Sequence, residues 1–180
     1  MLTGPSHAGK TTTGWEIARR VPAPVAMLAI DDIVARFDLS PEDPWEHGLP
    51  AAYDVAVASA DALLRRGFLV LVESTFTYIP PDERPGQFQR GELLRLAATA
   101  AAADARCLVV RLVAPLRELE RRRMVTGRIT PEIVEGTWQQ HHRAERLPSW
   151  PITIRTDGTS PAEAAELVIA AAAKDRPAEW

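Results

Sequence analysis

The feature that most constrains this 180-residue chain is a glycine-rich segment close to its first residue. Residues 4–11 read G-P-S-H-A-G-K-T and match the pattern G-x-x-x-x-G-K-[ST] at every fixed position. The glycines let the backbone curl so that successive N–H groups point inward and hold phosphate oxygens, and a helical pattern begins directly afterwards. We therefore predict a phosphate-binding loop. Its nucleotide-binding residues are Gly4, Pro5, Ser6, His7, Ala8, Gly9, Lys10, Thr11 and Thr12.

Two side chains of this loop have specific predicted roles. Lys10 is expected to reach the β- and γ-phosphates of ATP, and the Thr11 hydroxyl is expected to be a ligand of Mg²⁺. Of the 21 basic residues only Lys10 and Lys174 are lysine, the others being arginine. A lysine inside the loop of such a chain indicates a chemical requirement, because a compact ammonium fits a phosphate cradle where a guanidinium fork does not.

Composition excludes several classes of protein. The chain is 46% hydrophobic and 25% charged, which suffices for a globular core and predicts one domain over residues 1–180. A net charge of −3 argues against binding to nucleic acid backbones. The single cysteine, Cys107, excludes an internal disulfide. Because the sequence has neither a leader pattern nor an apolar run of roughly 18 residues, we expect a cytoplasmic protein without a membrane partner. The oligomeric state is left open.

Short apolar runs alternate with longer helical patterns along the chain, which predicts a layered α/β fold. The apolar runs are continuous rather than alternating, as expected when both faces of a parallel sheet are covered. Only three residues precede the loop, so either the first strand is unusually short or the chain begins further upstream. Strands are predicted at 1–3, 25–30, 68–73, 107–113 and 152–156, and helices at 10–20, 32–37, 51–66, 90–105, 115–125, 131–145 and 161–173.

Three acidic residues follow predicted strands, at the edge where a parallel sheet presents its ligand-binding side chains. Asp31 is predicted to act as the base that accepts the proton of an attacking hydroxyl. Asp32 is predicted to lie near the substrate, and the alternative for either aspartate is a helix cap. Glu73 ends the third strand and is predicted, with Thr11, to hold Mg²⁺.

Two proline-rich segments, 39–50 and 74–91, fit neither strand nor helix. They are surface loops or, because long loops after the strands of an α/β sheet often shape a ligand crevice, walls of a substrate site. His47 is a further candidate for substrate contact. The predicted pocket-lining residues are Trp45, Tyr53, Phe76, Tyr78 and Arg84.

A cluster of arginines lies on the predicted helix at 115–125 and just beyond it. Such a charged face is usually solvated, but arginines in this place can also offset the charge of a transferring phosphoryl group. Arg121 and Arg128 are two helical turns apart and are the predicted catalytic pair. The pair His141–His142 is not predicted to hold a metal ion, because adjacent helical side chains point about 100° apart.

Taken in order, five segments resemble those of small P-loop kinases, in particular the chloramphenicol phosphotransferases and zeta-toxin-like kinases. They read GPSHAGKTT, LAIDD, LVLVESTF, RELERRRMVTGR and TIRTDGTSPAEAAELV. The resemblance implies a three-layer fold with a five-stranded parallel sheet of order 2-3-1-4-5 and a helical lid at about 115–145. It also implies that Asp31 stands at the family's base position and that Thr156 and Asp157 lie near the adenine. Where the lid pattern has its middle arginine this chain has Val125, so Arg122 or Arg123 would have to substitute.

The predicted function is an ATP- and Mg²⁺-dependent phosphotransferase acting on a hydroxyl of a small molecule, either an antibiotic or a metabolite. One alternative is a kinase of nucleosides, nucleotides or polynucleotide ends. Another, of a different class, is a nucleotide-binding regulatory module without kinase activity. No N-K-x-D guanine motif is present, which disfavours GTP.

Overall fold

The fold is built on five parallel strands in the order β2-β3-β1-β4-β5, which confirms the predicted sheet. The computed structural model describes residues 1–37, 47–75, 87–127, 129–144 and 152–174. The strands are β1 (Leu2–Thr3), β2 (Val25–Ala29), β3 (Leu69–Ser74), β4 (Val110–Val113) and β5 (Ile152–Arg155). The helices are α1 (Lys10–Arg20), α2 (Ile30–Val34), α3 (Leu49–Leu64), α4 (Gln87–Ala102), α5 (Leu116–Thr126), α6 (Pro131–Ala144) and α7 (Pro161–Ala173).

The central strand β1 has only two residues, yet it joins both halves of the sheet. Leu2 lies opposite Glu73 of β3 and Val110 of β4. The hydroxyl of Thr3, the last residue of β1, donates to the carbonyl of Thr75, just after β3, at 2.8 Å. The glycine-rich loop therefore leaves the sheet beside the carboxyl ends of β3 and β4.

Helices cover both faces of the sheet, which explains why the strands read as continuous apolar runs. One core, between the sheet and helices α1, α5, α6 and α7, contains the fully buried side chains of Ile17, Leu112 and Leu119. The other core, between the sheet and helices α2, α3 and α4, contains Ile30 and Val109. None of the described helices is both long and apolar enough to cross a membrane.

Two boundaries differ from the predicted ones in ways that affect the site. Strand β2 ends at Ala29, so Asp31 and Asp32 lie in the first turn of α2 instead of at a strand end. Neither aspartate caps this helix, because its N-cap is Ala29 and no side chain makes a capping hydrogen bond there. Strand β4 begins at Val110, three residues later than predicted, where its pairing with β1 starts.

The predicted start of α7 is confirmed in detail. The Ser160 hydroxyl accepts a hydrogen bond from the Glu163 N–H at 3.2 Å, and the Glu163 carboxylate accepts one from the Ser160 N–H at 2.8 Å. This capping box fixes the turn that precedes α7, and with it one end of the cavity described below.

Candidate functional site

The glycine-rich loop adopts a conformation that requires glycine at its first position. Gly4 has a φ of +149°, and a Cβ atom there would lie 2.2 Å from the carbonyl oxygen of Leu112. His7 and Gly9 also have positive φ angles, 62° and 93°, and Gly9 is the N-cap of α1. The loop thus turns sharply against β4 and ends at a helix N-terminus, the geometry that presents main-chain N–H groups to an anion.

Lys10 is held inside this loop. Its ammonium donates hydrogen bonds to the carbonyls of Gly4 at 2.9 Å and Pro5 at 3.1 Å. Burial lowers the pKa of Lys10, while the nearby charges of Asp31 and Glu73 act in the opposite direction. The lysine charge is therefore placed at the centre of the loop with two carboxylates close to it.

Thr11 and Glu73 form the second element of the site. The Thr11 hydroxyl donates to Oε1 of Glu73 at 2.9 Å. Glu73 is only 7% exposed, and its Oε2 atom has no hydrogen-bond partner among the described residues. Burial raises the pKa of Glu73, and the negative charges of Asp31 and Asp32 raise it further. The hydrogen bond from Thr11 and the positive charge of Lys10 lower this pKa and oppose the rise.

This pair fits a hard cation. A hydroxyl and a carboxylate are oxygen ligands of the kind Mg²⁺ prefers, and the unpartnered Oε2 is a free acceptor beside them. No group of three or more His, Cys, Asp or Glu able to hold a metal ion occurs among the described residues. A magnesium ion here would complete its coordination with water and phosphate oxygens, as Mg²⁺ usually does.

These groups line one cavity of about 640 Å³. Its acidic end contains Asp31 and Glu73 next to the loop, and its other end is formed by Thr156 and the start of α7. Asp31 is exposed and lines this cavity. The lining residues are Ser6, His7, Ala8, Gly9, Lys10, Thr11, Thr12, Thr13, Asp31, Glu73, Glu118, Arg121, Arg122, Val125, Thr126, Ile129, Thr156, Thr159, Pro161 and Ala164.

Among the arginines of α5, Arg122 is the one tied to the loop. Its guanidinium donates to the His7 carbonyl at 3.2 Å, and to the hydroxyl and carbonyl of Thr156 at 3.1 and 2.6 Å. Its Nε atom donates to Glu118 at 2.8 Å. One side chain thus joins the phosphate loop, helix α5 and the turn after β5.

Arg121, the predicted catalytic arginine, has a different environment. It lines the cavity, but its side chain is 62% exposed and it pairs with Glu118 of its own helix at 2.7 Å. Hydrogen bonds from Arg121 and Arg122 lower the pKa of Glu118 to about 2. The second predicted arginine, Arg128, lies outside the described residues.

The predicted substrate residues fall into two groups. Tyr53 is 3% exposed in the core beneath α2 and α3, and its hydroxyl hydrogen-bonds to Ser74 at 2.8 Å. It does not line the cavity described above, and its hydrogen bond to Ser74 supports the end of β3. Asp32 is exposed on α2. Outside the described residues lie Trp45, Phe76, Tyr78 and Arg84.

Helix α6 contributes a contact that the sequence analysis missed. The Thr137 hydroxyl accepts a hydrogen bond from the Ser6 N–H at 3.2 Å. One turn further along α6, His141 is 1% exposed, whereas His142 is exposed and stacks on Trp138 with ring centroids 5.2 Å apart. The two histidines therefore face different environments. The i, i+4 spacing of Thr137 and His141 was the available signal, because such residues share a helix face.

Comparison with known proteins identifies relatives of this fold. A family model described as an AAA domain matches residues 1–147. The tunicamycin resistance protein of Deinococcus radiodurans superposes with a TM-score of 0.64 at 19% identity, over 96% of this chain and 93% of that one. A shikimate kinase from Acinetobacter baumannii in complex with shikimate gives a TM-score of 0.63 at 16% identity, over 97% and 93%. No curated protein matches the sequence significantly.

A third solved structure is the APS kinase of Mycobacterium tuberculosis in complex with AMPPNP and APS. It superposes with a TM-score of 0.58 at 20% identity, over 94% of this chain and 93% of that one. The chain belongs to the AAA domain family of P-loop proteins, and its fold is that of the small P-loop kinases. The predicted resemblance is thereby confirmed for this class.

Proposed function

We propose that the protein is an ATP- and Mg²⁺-dependent phosphotransferase that moves the γ-phosphoryl group of ATP to a hydroxyl of a small molecule. The proposal rests on one observation: Lys10, the Thr11–Glu73 pair and Asp31 line the same cavity. A phosphate cradle, a pair of oxygen ligands for a cation and an exposed carboxylate are the three parts that phosphoryl transfer to an alcohol requires.

Each residue then has a defined task. The loop N–H groups and Lys10 hold the phosphates, and Thr11 with Glu73 would hold Mg²⁺. When bound, that ion neutralises charge on the phosphate oxygens. Asp31 accepts the proton of the acceptor hydroxyl as its oxygen bonds to the γ-phosphorus, while the bond from that phosphorus to the bridging oxygen breaks and ADP leaves.

The arginines complete this assignment. Arg122 orders the loop and the turn at Thr156, where we place the adenine because the resemblance puts that turn beside it. Arg121 and Arg128 are proposed to offset the charge on the transferring group. For Arg121 this requires release from its ion pair with Glu118, which its exposure permits.

The acceptor is proposed to be a small hydroxyl compound. Solved structures with the same fold include a shikimate kinase with shikimate, a gluconokinase and a tunicamycin resistance protein, and these names support a metabolite or an antibiotic. The net charge of −3 speaks against a polynucleotide end as acceptor. We propose that Asp32, Trp45, Phe76, Tyr78 and Arg84 contribute to the acceptor pocket.

The test is release of ADP from Mg-ATP in the presence of a panel of acceptors: shikimate, gluconate, nucleosides, tunicamycin and an oligonucleotide with a free 5′-hydroxyl. Phosphorus NMR then identifies the new phosphate monoester. Asp31→Asn is expected to lower kcat about 10²- to 10⁴-fold, the range for loss of a general base. Nucleotide affinity is expected to change by no more than about threefold, because the carboxylate acts mainly in the transition state.

Asp104→Asn is the matched control, since Asp104 is exposed after α4, outside the cavity lining. It is expected to retain full activity. Unchanged kcat in Asp31→Asn would refute the assignment of the base. If AMPPNP binds but no acceptor stimulates ADP release, the protein is a nucleotide-binding regulatory module instead.

A further inference from the structure

His141 is a buried side chain whose position the proposed chemistry does not explain. It lies on α6 with 1% exposure, and neither ring nitrogen has a hydrogen-bond partner among the described residues. The ring faces the main-chain carbonyls of Gly4 and Thr75 without reaching hydrogen-bond geometry. Those carbonyls already accept hydrogen bonds from Lys10 at 2.9 Å and from Thr3 at 2.8 Å.

A neutral imidazole is poorly matched to this environment. It has one donor and one acceptor nitrogen, so only its donor nitrogen can bond to a carbonyl oxygen, and its acceptor nitrogen can bond to neither carbonyl. An imidazolium donates from both nitrogens and matches two carbonyls at once. A carbonyl oxygen has two lone pairs, so the bonds that Gly4 and Thr75 already accept do not exclude a second donor.

Burial and the neighbouring positive charges both disfavour an imidazolium at this position. Burial lowers the pKa of His141 well below its ordinary value, and the positive charges of Lys10 from α1 and Arg111 from β4 lower it further. The carbonyls of Gly4 and Thr75 instead raise the pKa of His141. The neighbouring His142 is exposed and stacks on Trp138.

A bound polyphosphate changes this balance. It places several negative charges at Lys10, whose positive charge disfavours an imidazolium at His141. These negative charges offset that repulsion. The two carbonyls then favour proton uptake by the ring.

We propose that His141 is a proton-coupled positioning residue: binding of nucleotide phosphates converts its ring to an imidazolium, whose two N–H groups hold the carbonyls of Gly4 and Thr75. The inference rests on the proposed nucleotide binding. It acts through the main chain, because Gly4 begins the phosphate loop and Thr75 follows β3 two residues after Glu73. In this way α6 joins the loop to the strand end that carries Glu73.

The experiment measures proton uptake when Mg-AMPPNP binds to the full chain at pH 7. Calorimetric titrations in two buffers of different ionisation enthalpy, such as MOPS and Tris, give the number of protons exchanged per nucleotide bound. The wild-type protein is expected to take up as much as about one proton more than His141→Gln, whose side chain does not titrate. His142→Gln is the matched control on the same helix and is expected to behave as wild type.

Carbon–proton NMR of the four histidine rings gives a second measurement that needs no variant. Without nucleotide one ring is expected to become protonated only well below the ordinary pH range of histidine, and with saturating Mg-AMPPNP that ring should have the shifts of an imidazolium at pH 7.

The outcomes separate the two proposals. If the nucleotide binds with the same proton uptake in wild type and His141→Gln, or if the buried ring stays neutral when nucleotide is bound, the role of His141 is refuted and nucleotide binding stands. If no nucleotide binds, the proposed function fails and the role of His141 fails with it.

Discussion

Replacing Arg122 by alanine is expected to destabilise the protein strongly, whereas the same change at its neighbour Arg121 is not. Arg122 donates three hydrogen bonds that reach other parts of the chain, one to the His7 carbonyl and two to Thr156. Arg121 instead pairs with Glu118 one turn away and is 62% exposed. The two residues are adjacent in sequence and identical in chemistry. A difference in stability between their alanine variants therefore reports the effect of position alone.

The magnitude follows from the Arg122 contacts. A hydrogen bond from a charged group contributes about 1.5 kcal/mol or more when buried. Because this side chain is 24% exposed, about 1 kcal/mol for each of the three bonds is the appropriate figure. Release of the side chain on truncation returns about 1 kcal/mol of conformational entropy. The net loss is therefore about 2 kcal/mol, or a fall of about 4–8 °C in Tm for a chain of this size.

Urea unfolding followed by tryptophan fluorescence, and thermal unfolding followed by circular dichroism, measure this difference. Arg121→Ala is expected to leave Tm within about 1 °C, since exposed ion pairs contribute little. Arg122→Lys should recover less than half of the loss, because an ammonium cannot reproduce the guanidinium fork. Equal Tm values for the two alanine variants, or full recovery with lysine, would refute the reasoning.

Four further changes test other parts of the structure. Gly4→Ala is expected to cost at least about 3 kcal/mol in urea unfolding, because its Cβ would meet the Leu112 carbonyl oxygen at 2.2 Å. Gly91→Ala, whose Cβ meets nothing within 4 Å in a helix, should instead stabilise by about 0.5–1 kcal/mol. Burial raises the pKa of Glu73 in the folded state above its value in the unfolded state. Ionisation of Glu73 therefore lowers the free energy of unfolding as the pH rises through the unfolded-state pKa, and this loss is complete above the folded-state pKa. Glu73→Gln should therefore be more stable than wild type in urea at pH 8 but not at pH 4, and the opposite order would contradict the assigned direction. Ser160→Ala removes a confirmed capping box and should cost about 1 kcal/mol; an unchanged Tm would show that the cap contributes nothing.

Local signals account for what the sequence predicted well. The phosphate loop, the five strands and the capping box at Ser160 each depend on residues close together in the chain, and the structure has all of them. The sheet order came from the resemblance to small P-loop kinases, not from the residues alone. The start of α2 was wrong by two residues, because the end of a buried strand and the beginning of a helix have the same apolar character at Ile30.

The positions that were missed depend on packing over long distances. Three consecutive arginines point in directions about 100° apart, and the burial of Leu119 decides that Arg122 faces the loop. Similarly, a His-His pair reads as polar surface, and only the docking of α6 on the loop buries His141. The burial of Tyr53 likewise depends on packing, because its hydroxyl hydrogen-bonds to the buried Ser74 at the end of β3.

The two hydrogen bonds that Lys10 makes inside the loop have a consequence for selectivity among anions. Since the Lys10 ammonium is already hydrogen-bonded to the carbonyls of Gly4 and Pro5, an anion must compete with two acceptors before it gains that charge. Chloride brings a single charge and no directed oxygens, so it gains little in exchange. A polyphosphate brings several charges and occupies the loop N–H groups at the same time. Simple salts are therefore expected to compete weakly for this loop, and ligands of high charge density are expected to bind it more tightly.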